Sequence, residues 1–249
     1  PKEEVLLRTG DKTEEFGILL SGKIHIENID LWGSRMILHS ILPGGAFGET
    51  YAFCQAPMMV DVLAVDSTLR VKLMYSAPDN FMRRDVYGDL ETAYLLPHFA
   101  RKVAAAQRLL RERRPGWRLL VCDAARPVSV QRQMYELVKG TPNQVYVADG
   151  TRGGRHNYGV AVDVTLLDET GAPVDMGTPV DFFGDEAHTG NEPALAAEGR
   201  ISAEACRNRQ LLGSVMRQAG LVPYRREWWH YEEPMAMSEV RTRYKLLDF

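Results

Sequence analysis

The chain has 249 residues, 45% hydrophobic and 25% charged, with a formal net charge of −3. This balance suits a folded globular protein of one or two domains and excludes a disordered chain or a general polyanion binder. No run approaches the roughly 20 apolar residues of a membrane span. Cys54, Cys122 and Cys206 lack Cys-x-x-Cys spacing, so neither a disulfide framework nor an all-cysteine zinc site is expected. Pro1-Lys2-Glu3-Glu4 does not read as a signal peptide. The expected location is cytoplasmic, or periplasmic if an export signal precedes these residues.

Charge and texture change near residue 65. Residues 1–65 carry a net charge of −4 and the remainder +1. The first part reads as short strands broken by glycine turns: Phe16–Leu20, Ser21-Gly22, Lys23–Ile29, Met36–Leu42 and Pro43-Gly44-Gly45. In Lys23–Ile29, Ile24 and Ile26 alternate with His25 and Glu27, the period of a half-buried strand. Gly17–Gly22, Pro43-Gly44 and Gly48-Glu49 of Phe47-Gly48-Glu49 resemble the first half of a cyclic-nucleotide-binding β-roll of the Crp/Fnr type. In that family the Gly and Glu hold the cyclic phosphate and ribose, and a following Arg pairs with the phosphate. Gln55–Val62 contains no Arg, so nucleotide binding is not expected. A half roll leaves open edges and an uncovered apolar face. The junction with the second part falls between Val60 and Ser67. Deleting the first part, in a chain beginning near Val60, is expected to leave the rest folded and active.

The second part mixes helices and strands. Leu69–Met74 reads as a strand leading into Ser76–Phe81. Pro97–Arg113 is a helix, with Pro97 in its first turn and Phe99, Val103, Ala106 and Leu110 on one face. Arg118–Cys122 is a short buried strand. Val128–Lys139 is a helix with Val130, Met134, Leu137 and Val138 inward and Gly140 as terminator. Tyr158–Leu167 is a strand, followed by the turn Asp168–Gly171 and an extended run. Ser202 caps a helix to Ala219, on which Leu211, Leu212, Val215 and Met216 pack. Trp228–Tyr231 is a last strand. Hairpin-like turns among helices indicate α+β rather than a doubly wound parallel sheet.

Two segments carry imidazole and carboxylate near a strand: Arg155–Asp163 and Glu227–Tyr231. Two His and one Asp suit zinc with a fourth position open, although a His beside a strand also serves as a structural hydrogen-bonder. Glu227, three residues before His230, could move a proton.

The ordered pattern goes further. His156-x6-Asp163, Glu227-x-x-His230, Asp123-x-x-Arg126-Pro127, Tyr75–Phe81 and Asp175–Phe183 together resemble the D-alanyl-D-alanine dipeptidases, the VanX-like zinc D,D-dipeptidases of peptidase family M15. The matches span residues 67–235. The resemblance implies a hedgehog/DD-peptidase-like mixed fold, with one zinc per chain held by His156, Asp163 and His230. It makes Glu227 the general base and then the proton donor to the leaving amine, and Arg126 the donor to the developing oxyanion. It places Asp181 against the substrate's free α-amine, and Tyr75 and Gly154 beside the substrate. Relatives carry Ser at the Gly154 position, so one substrate bond worth about 1 kcal/mol, or about fivefold in affinity, is expected to be lost. Arg155 could instead meet a substrate carboxylate.

Simpler roles compete with these. Arg126 could brace a helix, Asp181 could be a turn carboxylate, and Tyr75 could pack. Trp228 and Trp229 read as wall and core. His25, His39 and His98 have no partnered pattern, and His188 after Asp185-Glu186 is not expected to ligate. Arg108–Arg114 reads as a solvated helix face, not a nucleic-acid site. Cys122 and Cys206 read as packing cysteines.

The expected protein is a zinc D,D-dipeptidase, residues 66–249, behind a partial β-roll, residues 1–65. Its partner is a small dipeptide, with no nucleic acid and no membrane span. Such an enzyme serves vancomycin-type resistance or recycling of wall fragments. The alternatives are a D,D- or L,D-carboxypeptidase on peptidoglycan stem peptides, or a ligand-sensing regulator.

Overall fold

The computed structural model describes residues 4–20, 22–29, 35–54, 56–59, 61–66, 69–90 and 92–249. Ser21, Gln55, Val60 and Ser67, which mark an expected turn, the Arg-free stretch and the expected junction, lie outside the described residues.

In the N-terminal part, β1 (Glu4–Leu7), β3 (Lys23–Ile29), β4 (Arg35–Ile41) and β6 (Asp61–Asp66) form an antiparallel sheet in the order β1-β6-β3-β4. A second small sheet pairs β2 (Gly17–Ile18) with β5 (Ala46–Phe47), and α1 spans Glu49–Cys54. The core is small: Ile24, Ile41 and Met58, with Leu7, Leu19, Phe47 and Tyr51 against it. Ile24 faces inward as the alternation predicts. Glu27 does not follow it and is buried, because a bulge between Ile26 and Glu27 shifts the register against β4. Phe53 on α1 is 77% exposed and Met59 72%, whereas Ile24 and Ile41 on the strands are covered by this small core.

The main sheet runs in the order β10 (Val222–Pro223), β11 (His230–Glu232), β9 (Ala161–Leu167), β8 (Arg118–Asp123), β7 (Arg70–Val71). Only β7–β8 is parallel. Helices α2 (Pro97–Arg113), α3 (Val128–Val138), α4 (Glu192–Ala197), α5 (Ala203–Gln218) and α6 (Met237–Arg243) complete an α+β fold. Pro97 starts α2, and Phe99, Val103, Ala106 and Leu110 are fully buried. Ser202 Oγ accepts from Ala205 N at 2.8 Å and caps α5.

Several local expectations change. The first strand of this part shrinks to Arg70–Val71, and Met74–Ser76 is a 3₁₀ turn. Leu137 is exposed, not inward, because the buried stripe of α3 runs through Val130, Met134 and Val138. Tyr158 ends a 3₁₀ turn, Arg155–Tyr158, that precedes β9. Trp228 and Trp229 precede β11 rather than belonging to it, and both are core.

Strand parity positions the site. Val160, Val162, Val164 and Leu166 of the β9 segment enter the main core with Trp229 and Tyr231. Asp163, His230 and Glu232 therefore project from the opposite face of the sheet. Register places His230 directly across from Asp163. A bulge between Val121 and Asp123 brings Asp123 opposite Asp163 as well.

The strand β6 pairs with both β1 and β3, whereas β7 pairs with β8. A cut near Val60 would orphan the hydrogen bonds of β6 and leave an aggregation-prone edge. The parts meet where Arg101 Nε donates to Gly44 O at 3.1 Å, Tyr94 donates to Glu15 at 3.3 Å, and Leu20 rests on the main core. A chain beginning at Leu69 is expected to stay monodisperse and melt cooperatively within a few degrees of the full chain. The expectation for a chain beginning near Val60 changes: it keeps β6 without its partners β1 and β3, and it is expected to aggregate on gel filtration. Insolubility of the Leu69 chain would show that the N-terminal part is needed for folding.

Candidate metal and peptidase site

His156, Asp163 and His230 bring one donor atom each within 4.8 Å of one another, and among the described residues they are the group so placed. His156 Nε2 lies 3.1 Å from His230 Nδ1. Asp163 Oδ1 lies 3.0 Å from His230 Nδ1 and 3.4 Å from His156 Nε2. The far nitrogen of His156 donates to Ala124 O at 2.6 Å, which aims the lone pair of Nε2 into the triangle. The turn carrying His156 is tied to the neighbouring loop: Arg126 N donates to His156 O, and Asn157 Nδ2 donates to Arg126 O.

The triangle is buried and rich in carboxylates. Burial opposes ionisation of Asp163, yet His156 and His230 hold its carboxyl well below the usual range. Burial likewise opposes charge on His230, but hydrogen bonds to Asp163 and Glu232 push it up to about 10. The cluster thus favours a cation, either a proton on His230 or a metal in its place. Glu227 sits beside it, Oε2 3.6 Å from His230 Nδ1. Burial chiefly, with Asp163 and Asp181, raises its carboxyl to about 8 against the pull of His230 and Arg126.

Arg126 is buried and braced. Its Nε and Nη2 donate to Asp123 Oδ2 at 3.0 and 2.6 Å, and Nη1 donates to Gln131 at 2.9 Å. Asp123 also accepts from Tyr87 OH at 2.5 Å, so the buried carboxylate has three donors while Arg126 spends three of its five N–H groups. The guanidinium lies over the Tyr75 ring, 5.0 Å from its centroid. Bracing and facing the cavity are both true of Arg126.

Tyr75 packs and binds at once. Its ring is buried with Tyr87 and Met134, and its hydroxyl donates to Asp181 Oδ2 at 2.6 Å. Asp181 holds φ at 61°, a left-handed conformation unusual for a residue with a side chain. Burial lifts its carboxyl to about 7, the Tyr75 bond opposing and Asp163 adding.

Gly154 lines the cavity, but its N–H is taken by Asn157 Oδ1 at 2.7 Å. A Cβ there would lie 2.9 Å from Ala148 Cβ, so this wall has closed over the space a serine would need. Arg155 is directed to protein acceptors. Its guanidinium is consumed by Glu232, Glu233 O and Met235 O. His188 lies near Asp185 and outside the triangle. His98 stacks on Tyr244 at 5.5 Å. Cys122 and Cys206 are buried, and burial pushes the Cys122 thiol up to about 12.

The triangle, Glu227, Arg126, Tyr75, Asp181 and Gly154 face one cavity of about 410 Å³, and His98, His188, Cys122 and Cys206 do not line it. Phe183, stacked on Tyr146 at 5.1 Å, forms an aromatic wall. Sequence reasoning missed Glu232 and Arg241, which also line it. Glu232 was legible as the residue two beyond His230 on one strand face. Arg241 on α6 carried no such signal.

Comparison with known proteins decides the family. A family model described as D-Ala-D-Ala dipeptidase matches residues 55–247. The chain belongs to the M15 family of D-Ala-D-Ala dipeptidases. A D-alanyl-D-alanine dipeptidase of Escherichia coli is 32% identical over 180 residues, 72% of this chain and 86% of that one. One from Synechocystis is 28% identical over 166 residues, 53% and 66% of the two chains. One from Enterococcus faecium is 40% identical over 87 residues, 33% and 40%. This peptidase also matches a cyclic-nucleotide-binding domain model at residues 1–85. Thermus thermophilus catabolite activator protein aligns to it with 24% identity over 27% of this chain and 32% of that one, at a TM-score of 0.26. No helix among the described residues of the peptidase is long and apolar enough to cross a membrane.

Proposed function

We propose that residues 66–249 form a zinc-dependent dipeptidase that hydrolyses D-alanyl-D-alanine to two D-alanines, and that residues 1–65 are a separate, partial β-roll. The observation that carries this reading is the donor triangle of His156 Nε2, His230 Nδ1 and Asp163 Oδ1, with edges of 3.0–3.4 Å. A tetrahedral zinc site with bonds of about 2.0–2.1 Å has edges of about 3.3–3.4 Å. The donor set, two imidazoles and a carboxylate, is also that of hydrolytic zinc sites with an open position.

Bound there, zinc would supply Lewis acidity toward water and the scissile carbonyl. The remaining work belongs to the chain. Glu227 takes a proton from the attacking water as its oxygen bonds to the carbonyl carbon. It returns that proton to the amine nitrogen as the C–N bond breaks. Arg126 keeps its charge throughout, held by Asp123, and offers N–H to the oxyanion. Asp181 pairs with the α-ammonium. That requirement favours a dipeptide over a long chain, in which the nitrogen is an uncharged amide. Arg241, with no side-chain bond among the described residues, is the cavity arginine left for the substrate carboxylate.

Purified protein with one equivalent of zinc is expected to release D-alanine from D-alanyl-D-alanine. Dipicolinate treatment should abolish release, and added zinc should restore it. Release from stem peptides but not from the dipeptide would move the chain to the carboxypeptidases. Zinc-independent release would overturn the metal assignment.

A further inference from the structure

The hydrogen bonds of the two imidazoles differ. His156 gives its outer N–H to a neutral backbone carbonyl, Ala124 O. The outer nitrogen of His230, Nε2, faces a carboxylate instead, with Glu232 Oε2 at 3.3 Å. That carboxylate is itself held. Arg155 Nε lies 2.8 Å from Glu232 Oε2, and both groups are mostly buried. The other arms of Arg155 reach past β11: Nη1 donates to Glu233 O at 3.2 Å and Nη2 to Met235 O at 2.6 Å.

Strand geometry explains why Glu232 reaches this position. Residues two apart on a strand share a face, so Glu232 follows His230 while Tyr231 turns into the core. Its cross-strand neighbour is Ala161, which leaves room for a longer side chain. Arg155 adjoins His156 in the same 3₁₀ turn. One guanidinium therefore clamps the turn that carries one imidazole to the strand that carries the other.

We propose that the Arg155–Glu232 pair is the positioning device of the metal centre. It fixes which nitrogen of His230 keeps its proton and holds the two imidazoles at their mutual angle. An accepting carboxylate at Nε2 leaves Nδ1 unprotonated and strengthens it as a donor to a cation. Arg155 keeps Glu232 on the outer side of the ring, away from the triangle, so that it does not become a competing ligand. The proposal rests on the zinc reading given above. Neither residue touches the reacting atoms.

The test is zinc affinity of the full-length protein by competition with a chromophoric chelator, together with the visible spectrum of the cobalt-substituted protein. Glu232→Gln preserves size and a hydrogen-bond acceptor while removing the charge. It is expected to weaken zinc binding 10- to 100-fold and to shift the cobalt bands. Arg155→Ala is expected to weaken it comparably, and Arg155→Lys, which keeps a cation beside Glu232, to recover part of the loss. Melting of each metal-free variant separates this effect from misfolding. Affinity within twofold of wild type and an unchanged cobalt spectrum in both Glu232→Gln and Arg155→Ala would overturn the proposal. His230→Ala distinguishes the two levels. If it loses zinc while Glu232→Gln does not, the pair is only a salt bridge and the zinc reading stands. If it too retains full affinity, the zinc reading and this inference fall together.

Discussion

Replacing Glu227 with Gln is expected to lower kcat for D-alanyl-D-alanine about a thousandfold with zinc still bound. A positioned general base contributes about 10²–10⁴-fold, and an amide cannot accept the proton. Glu227 lies outside the donor triangle, 3.6 Å from His230 Nδ1, so retention of metal follows. The pH profile sharpens the test. Burial raises the Glu227 carboxyl to about 8 in the metal-free chain. A dication beside it favours the carboxylate and draws that value down. A base must be deprotonated, so kcat/KM should rise with pH on a limb centred below 8. The residual activity of the Glu227→Gln protein should lack that limb. Steady-state kinetics from pH 5 to 9, with zinc counted by atomic absorption, would check both. Near-wild-type kcat in the variant would remove Glu227 from the mechanism.

Asp181→Asn is expected to cost about 100-fold in kcat/KM for the free dipeptide, the loss of a charge-assisted bond of about 2.7 kcal/mol. N-acetyl-D-alanyl-D-alanine, which has no ammonium, should be a poor substrate for both proteins, so the ratio between the two substrates should narrow. Asn is the apt replacement because it tolerates the left-handed backbone at φ 61°. Stability gives a second readout. The folded carboxyl is raised to about 7. Its contribution is therefore present below the ordinary carboxylate range and is lost as pH rises through about 7. The metal-free Asp181→Asn protein should melt several degrees above wild type at pH 8, and the gap should close toward pH 4. An unchanged substrate ratio would make Asp181 a turn carboxylate.

The chemistry-bearing residues were legible because they form short local patterns. Asp163 is a lone charge in the apolar run Ala161–Leu167, and such a charge demands partners when its strand is buried. Helix α2 was legible to its ends because Pro97 and the spacing of its four buried residues are local signals. The strand before Met74 and the inward face at Leu137 were misread because β-pairing length and burial depend on neighbours distant in sequence. Gly154 reads locally as a serine lost, while the structure shows a wall at Ala148 that admits no side chain. Arg155 reads locally as a group that could meet a substrate carboxylate, while three acceptors from residues 232–235 hold it.

What the sequence by itself determined is therefore the inventory: strand parity, the donor types, and a carboxylate three residues before His230. Tertiary structure decided which groups are free. Register set His230 across from Asp163, and a bulge brought Asp123 alongside. Packing against residues 232–235 occupied Arg155, and among the described residues it left Arg241 without a side-chain partner. Hydrogen-bond partners far apart in sequence are chosen by packing, and no local spacing encodes that choice.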